Sequence, residues 1–200
     1  LVSESKEMPG KITEIRWHSR GGQGAKTAAG MVAEVAVDVG KYGQGCPEYG
    51  AERAGAPMKA YTRVSEEPIN VHCGIETPDV LVIVDETLIG VVDCCEGVND
   101  ACTVIVNTGK SPAEIRAKLG LKGGKVYTID ATQLAIDTIG RPIPNTPMLG
   151  ALVKATGVLA LDDILNDVKK KFGGKFSQKV IDGNLKAVQR AYEEVQGDNG

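Results

Sequence analysis

The hydrophobic pattern changes period across a glycine cluster near the amino end, and that change constrains the fold more than any other feature of the chain. Over residues 13–18, Thr13, Ile15 and Trp17 fall on one side and Glu14, Arg16 and His18 on the other, which is the period of a β-strand. Residues 20–24, R-G-G-Q-G, end the alternation. From Ala25 the period is helical: Ala25, Ala28, Ala29, Val32, Val35, Ala36 and Val39 form one stripe, with Lys26, Gly30, Glu34 and Asp38 opposite. Gly40 is the expected stop. The first unit is therefore strand, glycine loop, helix.

A second feature selects the kind of sheet. Residues 80–84, V-L-V-I-V, form a continuous β-branched apolar run, which suits a strand buried on both faces of a parallel sheet. Short candidates of the same kind lie at 104–106 and 126–129. Helical stretches are expected between them, near 88–92 and at 112–119, the latter capped by Ser111 with Pro112 in its first turn. Strand and helix in alternation predict an α/β domain. Residues 41–57 are rich in Gly and Pro and read as a long irregular loop, with a short strand possible over 41–44. Residues 58–64 alternate again, and a strand around Val71 is expected to pair with them through a turn at 65–68, forming an antiparallel hairpin.

The last third reads as helical. Thr146 is the expected cap and Pro147 the start of a helix that stops at Gly157. Another helix carries Leu161, Ile164, Leu165 and Val168, with Asp162 and Asp163 in its first turn and Lys169, Lys170 and Lys171 in its last, matching the helix dipole. Gly173 and Gly174 break the chain. A final helix over 178–195 places Ile181, Leu185, Val188, Tyr192 and Val195 on one stripe, which could cover this chain's own core or a partner's helix. The first ten residues are polar and read as a tail, leaving 11–200 as one domain.

Composition excludes several functions. A net charge of −3 argues against non-specific nucleic-acid binding, and 4% aromatics against a base-stacking platform. No apolar run reaches the length of a bilayer span. The five cysteines, Cys46, Cys73, Cys94, Cys95 and Cys102, include no C-x-x-C and read as free thiols in a reducing cytoplasm. No His/Cys/Asp spacing suggests a metal, and no G-x-S-x-G marks a nucleophile. The expectation is a chain without its own catalytic residues and without a metal site.

Three places could still bind something. Gly21, Gly22, Gln23 and Gly24 join a strand to a helix, where backbone N–H groups and the helix dipole favour anions, and Lys26 and Thr27 add a charge and a hydroxyl. The loop fits neither nucleotide fingerprint. Thr27 stands where G-x-G-x-x-G needs its third Gly, and Ala25 separates Gly24 from Lys26 where the P-loop needs them adjacent. An anion-binding loop and a simple tight turn both remain open. Glu52 and Arg53 lie in a loop of small residues at 47–57, where they either form a contact surface or pair locally. Asp85 closes the V-L-V-I-V run at the end of a sheet where ligands gather, or it caps the following helix.

The longer motifs go further. E-I-R-W-H-S-R-G-G-Q-G-A-K-T-A-A at 14–29, P-E-Y-G-A-E-R-A-G-A-P-M at 47–58, D-V-L-V-I-V-D-E-T-L at 79–88, N-T-P-M-L-G-A-L-V-K-A-T-G at 145–157 and R-A-Y-E-E-V at 190–195 resemble, in order and spacing, the γ subunit of 2-oxoacid:ferredoxin oxidoreductases. Ser19 departs from the Gly that many relatives carry there. The second motif is most similar to that of the pyruvate enzymes; related enzymes for branched-chain, aryl, 2-oxoglutarate or oxalate substrates use similar loops. The resemblance implies a single Rossmann-like three-layer α/β domain with a mixed, mainly parallel sheet and C-terminal helices. It implies a reaction in which pyruvate and coenzyme A give acetyl-CoA and carbon dioxide, with two electrons passed to ferredoxin. It also implies that thiamine diphosphate, Mg2+ and [4Fe-4S] clusters sit on partner α, β and δ subunits. On this basis residues 21–24 with Lys26 and Thr27 would receive an anion, either a coenzyme A phosphate or a partner carboxylate. Glu52, Arg53 and Asp85 would wall the active-site region at the interface.

Overall fold

The computed structural model describes residues 12–48 and 54–198. The proposed amino-terminal tail, and Glu52 and Arg53, lie outside the described residues. Strand β1 (Thr13–Arg20) leads through the glycine loop into helix α1 (Ala25–Asp38), then β2 (Tyr42–Pro47), β3 (Pro57–Ser65) and β4 (Val80–Ile83). A short 3-10 helix (Glu86–Leu88) precedes β5 (Thr103–Asn107), α2 (Pro112–Leu119), β6 (Lys125–Ile129), α3 (Ala131–Ile139), α4 (Asn145–Thr156), α5 (Leu161–Phe172), α6 (Gln178–Glu194) and β7 (Gln196–Asp198).

The strands form one sheet in the order β2-β3-β1-β4-β5-β6-β7. Strands β1, β4, β5 and β6 are parallel, while β3 pairs antiparallel with β1, β2 with β3, and β7 with β6. Ile15 and Trp17 pack with the apolar stripe of α1 and with residues of α3, α4, α5 and α6 on one face. Leu81, Ile83, Val104, Val106 and Val126 pack on the other face against Ile115 of α2 and against Leu88, Cys94 and Cys102. The sheet is the middle of three layers. Among the described residues no helix is long and apolar enough to cross a membrane.

Several elements differ from the sequence reading, each for a non-local reason. The segment around Val71 is not a strand: β3 already has β1 on one side and β2 on the other, so no pairing edge remains for it. The loop expected over 41–57 contains a six-residue edge strand. Its glycines allow close approach to α1; a Cβ on Gly43 would lie 2.0 Å from the Ala33 carbonyl oxygen. The helix expected near 88–92 is only the 3-10 turn, and Gly90 (φ 90°) follows it. Helix α3, capped by Asp130 accepting from the Gln133 N–H, was not anticipated. Helix α4 starts at Asn145 after Pro144, so Thr146 is inside it and does not cap it. Val39 lies just past the end of α1 and is exposed. The stripe on α6 covers this chain's own core: Ile181 and Val188 are buried, and Leu185, Tyr192 and Val195 pack against it. Gly150 of α4 permits that contact, since a Cβ there would lie 2.1 Å from the Val188 carbonyl oxygen. The polar side of β1 is buried as well as the apolar side.

Candidate functional site

The connection from β1 runs to β2 and β3 on one side of that strand, while β4, β5 and β6 extend on the other. This divergence makes a crevice at the carboxyl ends of β1 and β4, the place where open α/β sheets bind ligands. The glycine loop follows β1 and Asp85 follows β4, so the topology brings together two candidates 61 or more positions apart in the chain.

Gln23 closes that crevice. Its Oε1 accepts from the Arg20 backbone N–H at 2.9 Å and from Ser19 Oγ at 3.0 Å, and its Nε2 donates to Asp85 Oδ2 at 2.6 Å. The other Asp85 oxygen accepts from the Thr87 N–H at 2.9 Å and the Thr87 hydroxyl at 2.6 Å, which caps the 3-10 helix. Arg20 Nε lies 3.4 Å from Asp85 Oδ2 and donates to Thr87 Oγ1 at 3.0 Å. Burial by itself would raise the Asp85 pKa, but the bonds from Thr87 and Gln23 and the charge of Arg20 outweigh it and hold the carboxyl below its ordinary range. Asp85 thus braces the glycine loop and caps at the same time. It does not line the cavity described next.

A cavity of about 590 Å³ opens beside the loop, toward β3. Gly21, Gly22, Gly24, Lys26, His18 and Lys59 contribute its polar wall, and Met58, Val92, Pro47 and Pro57 part of its apolar wall. Gly22 (φ 99°) and Gly24 (φ 83°) adopt backbone conformations that favour glycine. Gly24 is the N-cap of α1 and supplies no side-chain cap to the start of the helix. A Cβ on Gly24 would lie 2.7 Å from Asn145 Nδ2, so α4 packs directly behind the loop. The returning segment is pinned across the loop: the Gly21 N–H donates to the Ala56 carbonyl at 2.9 Å, the Gly55 N–H to the Gly21 carbonyl at 3.0 Å, and Arg20 Nη1 to the Gly55 carbonyl at 3.0 Å. Thr27 is exposed on the first turn and is not part of the wall.

The sequence reading missed His18, Lys59 and Glu48. His18 sits on the face of β1 away from α1, directly across from Lys59 of β3. Burial, then the charges of Arg16 and Lys59, pull its imidazole down to about 4 against the opposing effect of Asp93. Glu48, at the cavity edge, accepts a short bond from the Tyr61 hydroxyl; burial and that bond raise the phenol's pKa. Beneath them Arg16, 2% exposed, donates to the carbonyls of Ile75, Glu76, Cys94 and Glu96 and ties two long connections to β1. A lone histidine within an otherwise regular strand was the only sequence signal for this wall.

The residues do not fit an iron–sulfur cluster. Among the described residues no three His, Cys, Asp or Glu side chains converge as metal ligands. Burial first of all pushes the Cys94 and Cys102 thiols up to about 11 and about 12, opposite to what a ligating thiolate needs.

Residues 14–194 match the family described as pyruvate ferredoxin/flavodoxin oxidoreductase. The chain is 50% identical to the pyruvate synthase subunit PorC of Thermotoga maritima over 93% of its length and 96% of the relative's. It is 45% identical to the pyruvate/ketoisovalerate oxidoreductases common subunit gamma of Pyrococcus abyssi, over 92% of this chain and 98% of that one. The crystal structure of the Thermotoga maritima pyruvate oxidoreductase subunit PORC superimposes with a TM-score of 0.84 at 47% identity, covering 94% of this chain and 99% of that chain. The keto/oxoacid ferredoxin oxidoreductase gamma subunit of Geobacter sulfurreducens, 22% identical with a TM-score of 0.71 over 92% of this chain and 96% of that one, shares the fold. The family match over residues 14–194 and the 50% identity along nearly the whole length agree: the chain belongs to the pyruvate ferredoxin/flavodoxin oxidoreductase family.

Proposed function

We propose that this chain is the γ subunit of a cytoplasmic pyruvate:ferredoxin oxidoreductase, a complex that converts pyruvate, coenzyme A and two oxidised ferredoxins to acetyl-CoA, carbon dioxide, two reduced ferredoxins and a proton. The near full-length 50% identity to pyruvate synthase subunit PorC is the observation that carries this reading. Its partners are the α, β and δ subunits, with ferredoxin as electron acceptor. Thiamine diphosphate with Mg2+, held by a partner, supplies the electron sink for the decarboxylated fragment, and [4Fe-4S] clusters on partners carry the electrons.

This chain contributes a binding wall. The start of α1, the glycine-loop backbone and Lys26 form an anion-receptive surface, and the apolar wall beside it suits the uncharged part of an elongated ligand. The anion assigned to it is a phosphate of coenzyme A, with Glu52, Arg53 and Asp85 toward the partner interface. In the reconstituted complex, Lys26→Ala is expected to raise the KM for coenzyme A about tenfold while leaving the KM for pyruvate unchanged, as loss of one charge-assisted contact does. Unchanged coenzyme A kinetics in both Lys26→Ala and Arg53→Ala would remove this role. A second reading has the same γ chain serve more than one 2-oxoacid oxidoreductase, and the name of the Pyrococcus abyssi relative, a common subunit for pyruvate and ketoisovalerate enzymes, favours it. Assaying the purified complex with several 2-oxoacids and methyl viologen separates the two.

A further inference from the structure

Gln23 is the one residue of the glycine loop with a side chain, and it does not line the cavity, whereas Gly21, Gly22 and Gly24 do. The side chain is turned onto the loop itself. Its Oε1 accepts from the Arg20 N–H, while the Gln23 N–H donates to the Arg20 carbonyl at 3.2 Å. Residue 23 therefore holds both backbone polar groups of Arg20 and closes the turn around Gly22.

The other end of the amide meets Asp85, and the orientation is forced. A backbone N–H can only donate, so it must meet the amide oxygen; an ionised carboxylate can only accept, so it must meet the NH2. Asp85 is itself fixed at the end of β4 by the Thr87 N–H and hydroxyl, and the charged group acting on it is Arg20. The same cluster reaches the opposite wall. Arg20 Nη1 holds the Gly55 carbonyl, and Ala54, Ala56, Pro57 and Met58 line the cavity on that side. Of side chains of this length, Glu would offer two acceptors and Met neither bond; Gln offers an acceptor to the turn and a donor to Asp85.

We infer that Gln23 is a positioning residue of this cavity: it acts through the loop backbone, and its paired bonds to the Arg20 N–H and to Asp85 set the shape in which the glycine loop receives the coenzyme A phosphate. The inference rests on the reading of the cavity as the coenzyme A site.

The test uses the reconstituted complex at pH 7.5, with urea midpoints of the full chains measured alongside. Gln23→Glu sets a second carboxylate against Asp85 and should raise the KM for coenzyme A about tenfold while leaving the KM for pyruvate unchanged. Gln23→Met removes both bonds without adding a charge and should act in the same direction, which keeps the test in force if the first variant does not assemble. The double variant Gln23→Glu with Asp85→Asn exchanges donor and acceptor at unchanged net charge, and should return the KM for coenzyme A to within about twofold of wild type. If Lys26→Ala raises the KM for coenzyme A and neither single Gln23 variant does, the positioning role is refuted and the cavity reading stands. If none of the three changes it, the cavity reading falls and the inference with it. A lower urea midpoint with both KM values shifted alike would make the brace purely structural and overturn the inference. A double variant no better than Gln23→Met would overturn the donor–acceptor pairing on which it depends.

Discussion

Replacing Gly24 with alanine tests the brace behind the site more sharply than any other single change. Two penalties should add. At φ 83° and ψ 15° the residue is left-handed, which costs a residue bearing a Cβ about 1–2 kcal/mol. The new Cβ would also stand 2.7 Å from Asn145 Nδ2 and 2.9 Å from Asn145 Cγ, far inside van der Waals contact. Asn145 is 9% exposed at the start of α4, so it cannot simply swing into solvent, and the overpacking adds about 1–2 kcal/mol. The sum of about 2–4 kcal/mol is large against the 5–15 kcal/mol typical of a domain. Gly22→Ala is the control, because Gly22 is also left-handed (φ 99°) but nothing lies within 4 Å of its Cβ position. It should lose only the backbone share. Urea unfolding of the full chain, followed by the fluorescence of Trp17, the single and fully buried tryptophan, would read both variants. Asn145→Ala removes the two nearest clashing atoms, so the double variant should recover about 1 kcal/mol relative to additivity. Equal destabilisation by Gly22→Ala and Gly24→Ala, together with additivity within about 0.5 kcal/mol, would refute the claim that α4 packs on the glycine loop.

Other consequences are equally direct. His18 falls from an unfolded value of 6.5 to about 4, so the unfolded chain binds the extra proton between these pH values and the folded chain does not. Above pH 6.5 the residue contributes no pH dependence; below it stability is lost progressively, by about 3 kcal/mol at pH 4, and the difference in urea midpoint between wild type and His18→Gln across pH 4–7 should show it. A parallel pH dependence in the two proteins would contradict the buried neutral imidazole. Arg16→Lys replaces a fork reaching four carbonyls with a single point of donation and should cost about 2–4 kcal/mol in the same assay; a loss below about 0.5 kcal/mol would mean the two connections are not held by Arg16. Gly150→Ala pushes a methyl group to 2.1 Å from the Val188 carbonyl oxygen, so α4 and α6 must separate, and a fall of about 2–3 kcal/mol is expected. Gly30→Ala, where nothing lies within 4 Å, should not destabilise and serves as the comparison.

Much of the scaffold was legible because it follows local rules. The change of period at the glycine loop located β1 and α1, the β-branched run located β4, and Ser111 with Pro112 located α2, whose capping box with Glu114 is present. The elements that were misread are those decided by neighbours. Tyr42–Pro47 has the composition of a loop and becomes a strand because β3 offers a free edge and α1 a surface that only glycine can approach. Val71 has the composition of a strand and is not one because both edges of β3 are taken. Of the candidate site, the glycine loop and Lys26 were visible as a pattern at a helix start. His18, Lys59 and Asn145 were not, since each matters only through a residue distant in the chain.

The amino-acid sequence alone determined the parallel-core strands β1, β4, β5 and β6, the helices α1 and α2 and the glycine loop at the start of α1, because periodicity, caps and glycine placement act over a few residues. Tertiary structure alone decided that Gln23 meets Asp85, that α6 covers this chain's own core and that a buried histidine borders the loop's cavity. Those outcomes depend on which strands end side by side and which helices can approach closely, and such contacts join residues that no local pattern relates.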